Sequence, residues 1–349
     1  MVLLDRQRFP RDKTCGDLVG TEAVATLQTL GLGATLDGAL PLAGAVVHGP
    51  RGEWAGGRGG TLRRPDACDA RVIPRHTFDA RLLRAAQSAG AAFAVATVRG
   101  AVRNASGRIA GVRTDAGDVR APVTIAADGW GSQIARAAGC ARKRSGATAL
   151  VVRAYASGIA ELGRCMHFFI NPAGDGYGWV FPLGKGQANV GLGFIRGEGG
   201  APDVARAFER FTQSRHSLAA PWFAAADVSE PAAWPIPLGW SNGPRAAPGV
   251  FVAGDAAALA SPLSGSGIHH ALASGAYAAR SAIRVLGGDE SAWRAYDAAI
   301  AQRFALRLRA ERIVHDVAGR PAVAGAWLRL AAALPGANGA LSRALLALG

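Results

Sequence analysis

The sequence predicts an α/β fold: a parallel sheet and its helices carry an inserted antiparallel-sheet domain, and the chain ends in a helical tail. Three observations predict it. Residues 123–139 and 249–275 each begin as a short apolar run, pass an Asp-Gly or Gly-Asp turn and continue at helical spacing, the strand-turn-helix pattern of open α/β sheets. Residues 176–194 instead alternate with a period of two on either side of a Gly-Lys-Gly turn at 184–186, which reads as a hairpin. From about residue 319 the chain is apolar, with Trp327, Leu328, Leu330 and Leu334 spaced by Arg, as in a helix that covers a core or lies on an interface.

With 349 residues, 50% hydrophobic and 18% charged, the chain can bury a large core, which excludes disorder, coiled coil and collagen. The net charge of +14 comes from 39 basic against 25 acidic residues, and only Lys13, Lys143 and Lys185 of the basic set are Lys. Because the Arg excess is spread out and not clustered beside aromatics, nucleic acid is not an expected partner. A broad positive field is nonetheless compatible with peripheral contact at an anionic membrane. No segment qualifies as a membrane span and the N-terminus does not read as a signal peptide, so the expected location is the cytoplasm, with the inner face of the cell membrane open. Cys15, Cys68, Cys140 and Cys165 form no C-x-x-C pair and no metal-ligand spacing; a reducing compartment and no metal site are expected.

Taken in chain order, residues 1–4 form a short apolar strand that ends in Asp5. In a dinucleotide-binding βαβ unit the second strand ends in an acidic residue that hydrogen-bonds a ribose, roughly 20 residues after a glycine-rich fingerprint. That fingerprint has no room before Met1, so the nucleotide domain reads as N-terminally incomplete. A polar loop, DRQRFPRDKTCGD (residues 5–17), follows, with a turn at Cys15-Gly16. A helix lies in RVIPRHTFDARLLRAAQSAGA (71–91), where Phe78, Leu82, Leu83 and Ala86 recur at helical spacing and Gly90 closes it. The strand of 123–139 runs into Asp128-Gly129. The strand of 249–275 delivers Gly254-Asp255 at its C-terminal end, where open α/β sheets bind ligands, and the run from Ser264 to Ile268 then opens a helix. His269 and His270 are adjacent in that helix and point about 100° apart, so they read as packing or rim residues and not as a paired site.

These segments, in this order, resemble the geranylgeranyl reductase family of FAD-dependent oxidoreductases, within the p-hydroxybenzoate hydroxylase-like flavoprotein fold. The resemblance implies a Rossmann-like FAD-binding domain, with Asp5, Arg75, Asp128, Gly129, Gly254, Asp255, Gly265, Gly267 and Ile268 on the cofactor. Asp255 would meet a ribityl hydroxyl, and the helix N-terminus at Gly267-Ile268 would face the pyrimidine edge of the flavin, where unpaired N–H groups suit negative charge. The pattern Tyr177-x-Trp179-x-Phe181-Pro182 is similar to the family's substrate wall, and its period of two places the three aromatics on one strand face. Cys15 is the candidate catalytic residue, as proton donor or as a contact that shapes the site. Two positions depart from the family, which usually has Gly at Ala258 and Glu at Ser266.

The implied activity is reduction of carbon-carbon double bonds in a polyprenyl lipid or isoprenoid quinone, by hydride transfer from reduced flavin into an apolar aromatic-walled cavity. NAD(P)H docking transiently, or a ferredoxin-type donor, would reduce the flavin. A flavin monooxygenase acting on an aromatic or polyketide substrate shares the fold and both Asp segments; the aromatic strand and Cys15-Gly16 favour the reductase. A third reading is a remnant that does not hold FAD, since without a pyrophosphate loop the 349-residue chain is expected to bind it weakly. The expected organisation is an FAD-binding domain over 1–38, 66–146 and 248–318, a substrate domain over 39–65 and 147–247, and the tail over 319–349.

Overall fold

The computed structural model describes residues 1–49, 54–55, 69–140, 148–160, 162–170, 176–195, 203–215, 217–239, 243–318 and 326. The expected C-terminal tail thus lies outside the described residues apart from Ala326, as does Cys68.

The first third of the chain holds β1 (Val2–Asp5), β2 (Leu18–Val19), α1 (Thr21–Thr29), β3 (Leu40–Pro41), β4 (Gly44–His48), β5 (Trp54–Ala55), β6 (Arg71–Val72), α2 (Arg75–Ser88) and β7 (Ala92–Val95). A meander of β8 (Val98–Arg103), β9 (Ile109–Thr114) and β10 (Gly117–Arg120) leads to β11 (Thr124–Ala126) and α3 (Gln133–Ala137). Next come β12 (Thr148–Ser157), β13 (Cys165–Ile170), β14 (Tyr177–Gly184), β15 (Gln187–Ile195), α4 (Val204–Gln213), α5 (Ala220–Phe223), β16 (Asp227–Val228) and β17 (Ala232–Pro237). The last elements are β18 (Ala246–Ala247), β19 (Val250–Val252), α6 (Ile268–Leu286) and α7 (Ala292–Ala318).

The nucleotide-type half rests on two parallel pairs, β1 with β7 and β11 with β19, as a Rossmann-like α/β fold requires. β19 reads Val-Phe-Val and is fully buried. On it lie α6 and α7, the latter presenting Trp293, Tyr296, Ile300, Phe304 and Leu308 at intervals of three and four residues to the core. The Trp293 ring stacks on Phe251 at 4.3 Å between centroids, and the Tyr296 hydroxyl donates to the Val252 carbonyl at 2.7 Å, so the helix is fixed to the strand that carries Asp255.

The other half is one large, mainly antiparallel sheet in the order β16-β12-β15-β14-β13-β4-β5, with β17 also on β12. The β14–β15 hairpin turns through Lys185 and Gly186, both at positive φ (53° and 69°), the geometry of a two-residue loop that follows the twist of its strands. Alternation gives the sheet two different faces. Phe169, Val180, Val190 and Leu192 face α4 and α5, where Phe208, Phe211 and Phe223 close an apolar core. Val151, Met166, Phe168, Trp179 and Phe181 form the opposite face, packed towards Leu18, Leu42 and Val72.

Candidate active site

The aromatic face is built on glycine. Tyr177 lies opposite Gly193 and Trp179 opposite Gly191 in the β14–β15 register, and each ring leans across the sheet into the space that a side chain there would fill. A β-carbon on Gly191 would come 2.1 Å from the Trp179 ring, and one on Gly193 would come 2.7 Å from the Tyr177 ring. The rings follow one another at 5.8 and 6.2 Å between centroids. Trp179 and Phe181 are buried, and burial holds the Tyr177 phenol well above its ordinary pKa, so it stays neutral. Pro182 is buried too, but it faces the other way from Phe181, opposite Ala188, and the structure does not bring it to this wall.

Cys15 and Gly16 sit against the wall. A β-carbon on Gly16 would approach the Phe181 ring to 3.0 Å and the Trp179 indole nitrogen to 3.5 Å, so only glycine lets the loop lie this close. Asn189 joins loop and wall: Trp179 Nε1 donates to its Oδ1 at 2.8 Å, and its Nδ2 donates to the Cys15 carbonyl at 2.8 Å and to Asp17 Oδ2 at 2.8 Å. The Cys15 thiol also neighbours Arg75, whose guanidinium donates twice to Asp79, at 2.7 and 2.8 Å. Burial opposes the Arg75 charge, but Cys15 and Asp79 outweigh it and hold the group above its ordinary pKa.

A chain of charge runs on from there. Arg11 bridges Asp79 (3.0 Å) to Asp5 (3.1 Å), so Asp5 and Arg75, far apart in sequence, belong to one network. Asp255 stands in the turn just after β19 and pairs with Lys13 Nζ at 3.3 Å. Gly267 begins α6 beside it; a β-carbon there would come 3.3 Å from Asp255 Oδ1. No side chain caps α6, which leaves the N–H groups of its first turn for a ligand. The Tyr177 hydroxyl meets Gly265, one turn upstream. The structure therefore gathers Cys15, Arg75, the aromatic wall, Gly265, Gly267, Ile268 and Asp255 about one place. Gly254 supports it from within, its N–H donating to Ser274 Oγ at 3.0 Å.

Asp128 and Gly129 follow β11 at the same sheet edge, since Ala126 pairs with Val252. There the Asp128 carboxylate accepts from Ser132 Oγ (2.5 Å) and from the Gln133 N–H (3.2 Å), which ties it to the start of α3. Ala258 adopts a left-handed φ of 54°, a conformation that costs a non-glycine residue about 1 kcal/mol and explains why glycine suits that position in the resembled family. Sequence reasoning passed over Lys13, Asp17, Tyr155 and Asn189. A lone Asn between glycines on the aromatic face of β15, and an acidic residue directly before the apolar β2, were the available signals. Among the described residues no group of three His, Cys, Asp or Glu could hold a metal, and no helix is long and apolar enough to cross a membrane.

The family described as "FAD binding domain" matches residues 1–309. The chain belongs to that family. Its cofactor is FAD, and the uncapped start of α6, the glycine beside Asp255 and the Asp255 carboxylate fit it. This FAD binding domain protein is 30% identical over 294 residues to menaquinone reductase of Mycolicibacterium smegmatis, covering 80% of this chain and 69% of that one. It is 33% identical over 241 residues to digeranylgeranylglycerophospholipid reductase 2 of Methanopyrus kandleri, covering 64% and 58%. Its fold matches a geranylgeranyl bacteriochlorophyll reductase-like protein from Thermoplasma acidophilum with a TM-score of 0.79 at 22% identity, over 95% of this chain and 85% of that one. It is an FAD-dependent oxidoreductase, and a reductase of geranylgeranylated lipid is among its relatives.

Proposed function

We propose that this protein reduces isolated carbon-carbon double bonds in the polyprenyl chain of a quinone or lipid. The observation that carries the reading is the meeting of the Tyr177–Trp179–Phe181 wall with the Cys15-Gly16 turn and the uncapped start of α6. The names of the relatives, a quinone reductase and a reductase of geranylgeranylated lipid, point to the same substrate chemistry. An unactivated alkene offers no polar handle, so the protein's contribution is positioning in an apolar site from which water is excluded.

In this reading the aromatic wall holds the prenyl chain, and the uncapped first-turn N–H groups of α6 would hold the flavin and suit negative charge on it. Asp255 would hold a cofactor hydroxyl in place of its Lys13 pair. Reduced FAD, when bound, supplies the hydride. Cys15 Sγ holds the proton that reaches the second alkene carbon, with Arg75 beside it. Reductant reaches the flavin from NAD(P)H or a ferredoxin-type donor, and the positive net charge supports peripheral contact with an anionic membrane where such substrates reside. The test is chain length. Trp179→Ala should weaken long prenyl substrates more than short ones, at a cost of about 2–4 kcal/mol by analogy with core truncations. Equal losses for long and short substrates would reject the tunnel.

A further inference from the structure

One buried carboxylate near the aromatic wall accepts three hydrogen bonds and is left unused by the proposed chemistry. Asp17 is fully buried and its backbone sits at φ 62°, in the left-handed region. Its Oδ2 accepts from Tyr155 OH and from Asn189 Nδ2, both at 2.8 Å, and its Oδ1 accepts from the Arg75 backbone N–H at 3.2 Å. Its own N–H points back at Cys15 Sγ, 3.4 Å away. Three elements of the molecule thus converge on the one carboxylate that the loop carries: α2 through Arg75, β12 through Tyr155 and β15 through Asn189.

The same loop is pinned once more from β12. Arg153, which lies over the Tyr155 ring, donates through Nη2 to both Asp12 oxygens (2.8 and 2.7 Å) and to the Lys13 carbonyl (3.1 Å). Arg75 and Arg153 are the cationic groups that face Asp17, and Asp12 and Cys15 are its other titratable neighbours along the loop. A loop held only by packing would need neither a buried charge nor a left-handed non-glycine residue.

We propose that Asp17 is a positioning residue that acts through Asn189 and its own backbone to hold the Cys15-Gly16 turn against Trp179 and Phe181. The carboxylate orients the Asn189 amide, which can then serve the Trp179 indole and the Cys15 carbonyl together; the left-handed backbone aims the Asp17 N–H at the thiol. That the held turn forms the floor of a prenyl site rests on the function proposed above, but the holding itself does not.

The test is alkylation of the full chain by iodoacetamide, followed cysteine by cysteine with peptide mass spectrometry. Cys140 and Cys165, both buried, serve as internal controls. Asp17→Gly accepts the left-handed φ without strain and removes the whole side chain, the carboxylate with it. It should raise the Cys15 rate about tenfold, as expected when a charge-assisted tether is lost, with the two controls unchanged. Asp17→Asn keeps one acceptor oxygen and tolerates the conformation, so it should restore most of the protection. If Asp17→Gly does not fold, Asn189→Ala cuts the tether from the other side and should produce the same selective rise. An unchanged Cys15 rate, or an equal rise at all three cysteines, would reduce Asp17 to a core residue and overturn the proposal. Because alkylation requires neither flavin nor lipid, this failure is separate from failure of the proposed function.

Discussion

The Tyr177 hydroxyl stands 2.3 Å from the point that a β-carbon on Gly265 would occupy. This close approach joins the large sheet to the loop that starts α6, and it exists only because residue 265 has no side chain and sits at φ 69°. Gly265→Ala should therefore be costly twice over, through backbone strain of about 1–2 kcal/mol and through displacement of the phenol. The expected outcome is a lower melting temperature together with weaker FAD binding, measured by calorimetry and flavin fluorescence. A variant with wild-type stability and affinity would mean that the two elements are not coupled.

Asp255 offers the opposite case. Its ion pair with Lys13 is partly exposed on both sides (18% and 36%), and such pairs contribute about 0–1 kcal/mol. Asp255→Ala should leave the melting temperature of the flavin-free protein nearly unchanged and raise the dissociation constant for FAD about ten- to a hundredfold, the loss of a hydrogen bond from a charged acceptor. A large fall in the stability of the flavin-free protein would make Asp255 structural.

Acid stability follows from buried groups that act in opposite directions: burial lowers His270 to about 3 and also lowers His269 and His315, in the same sense as the His48–His167 pair, and Asp17 opposes them. His48 Nε2 and His167 Nδ1 share a hydrogen bond of 3.0 Å beneath Trp222, and burial lowers both pKa values from 6.5 to about 4. The unfolded chain then binds more protons than the folded one, so their contribution is present above pH 6.5 and is lost as pH falls towards 4. Asp17 is raised by burial from 3.8 to about 6, so the folded state takes up its proton first and gains stability over nearly the same descent. The histidines together outweigh the one carboxylate. Denaturant midpoints should fall between pH 6.5 and pH 4, more steeply in Asp17→Asn and less steeply in His167→Phe. Flat or rising midpoints would contradict this assignment of charge.

Much of the site was legible before the fold was known, and for physical reasons. A period of two places Tyr177, Trp179 and Phe181 on one face whatever the rest of the sheet does, and the Lys185-Gly186 turn has the positive φ values that its residues invite. The same alternation argues against grouping Pro182 with that face. What stayed hidden was long-range and polar. Asp17 meets Tyr155 and Asn189 across 138 and 172 positions, and His48 meets His167 across 119; each alone resembles an ordinary loop or strand residue, because period and turn chemistry carry no information about a partner so far along the chain. Asp128 is legible as a turn residue, and its bonds to Ser132 and Gln133 add a helix-capping role.

The most direct test of alkene reduction is anaerobic turnover of the FAD-loaded, dithionite-reduced protein with prenylated alcohols of graded length, following flavin absorbance and product mass. The account predicts flavin reoxidation without oxygen, with a product heavier by two hydrogens for each double bond reduced. Reoxidation only after oxygen is admitted, with a product heavier by one oxygen atom, would contradict it and assign the aromatic wall to a monooxygenase.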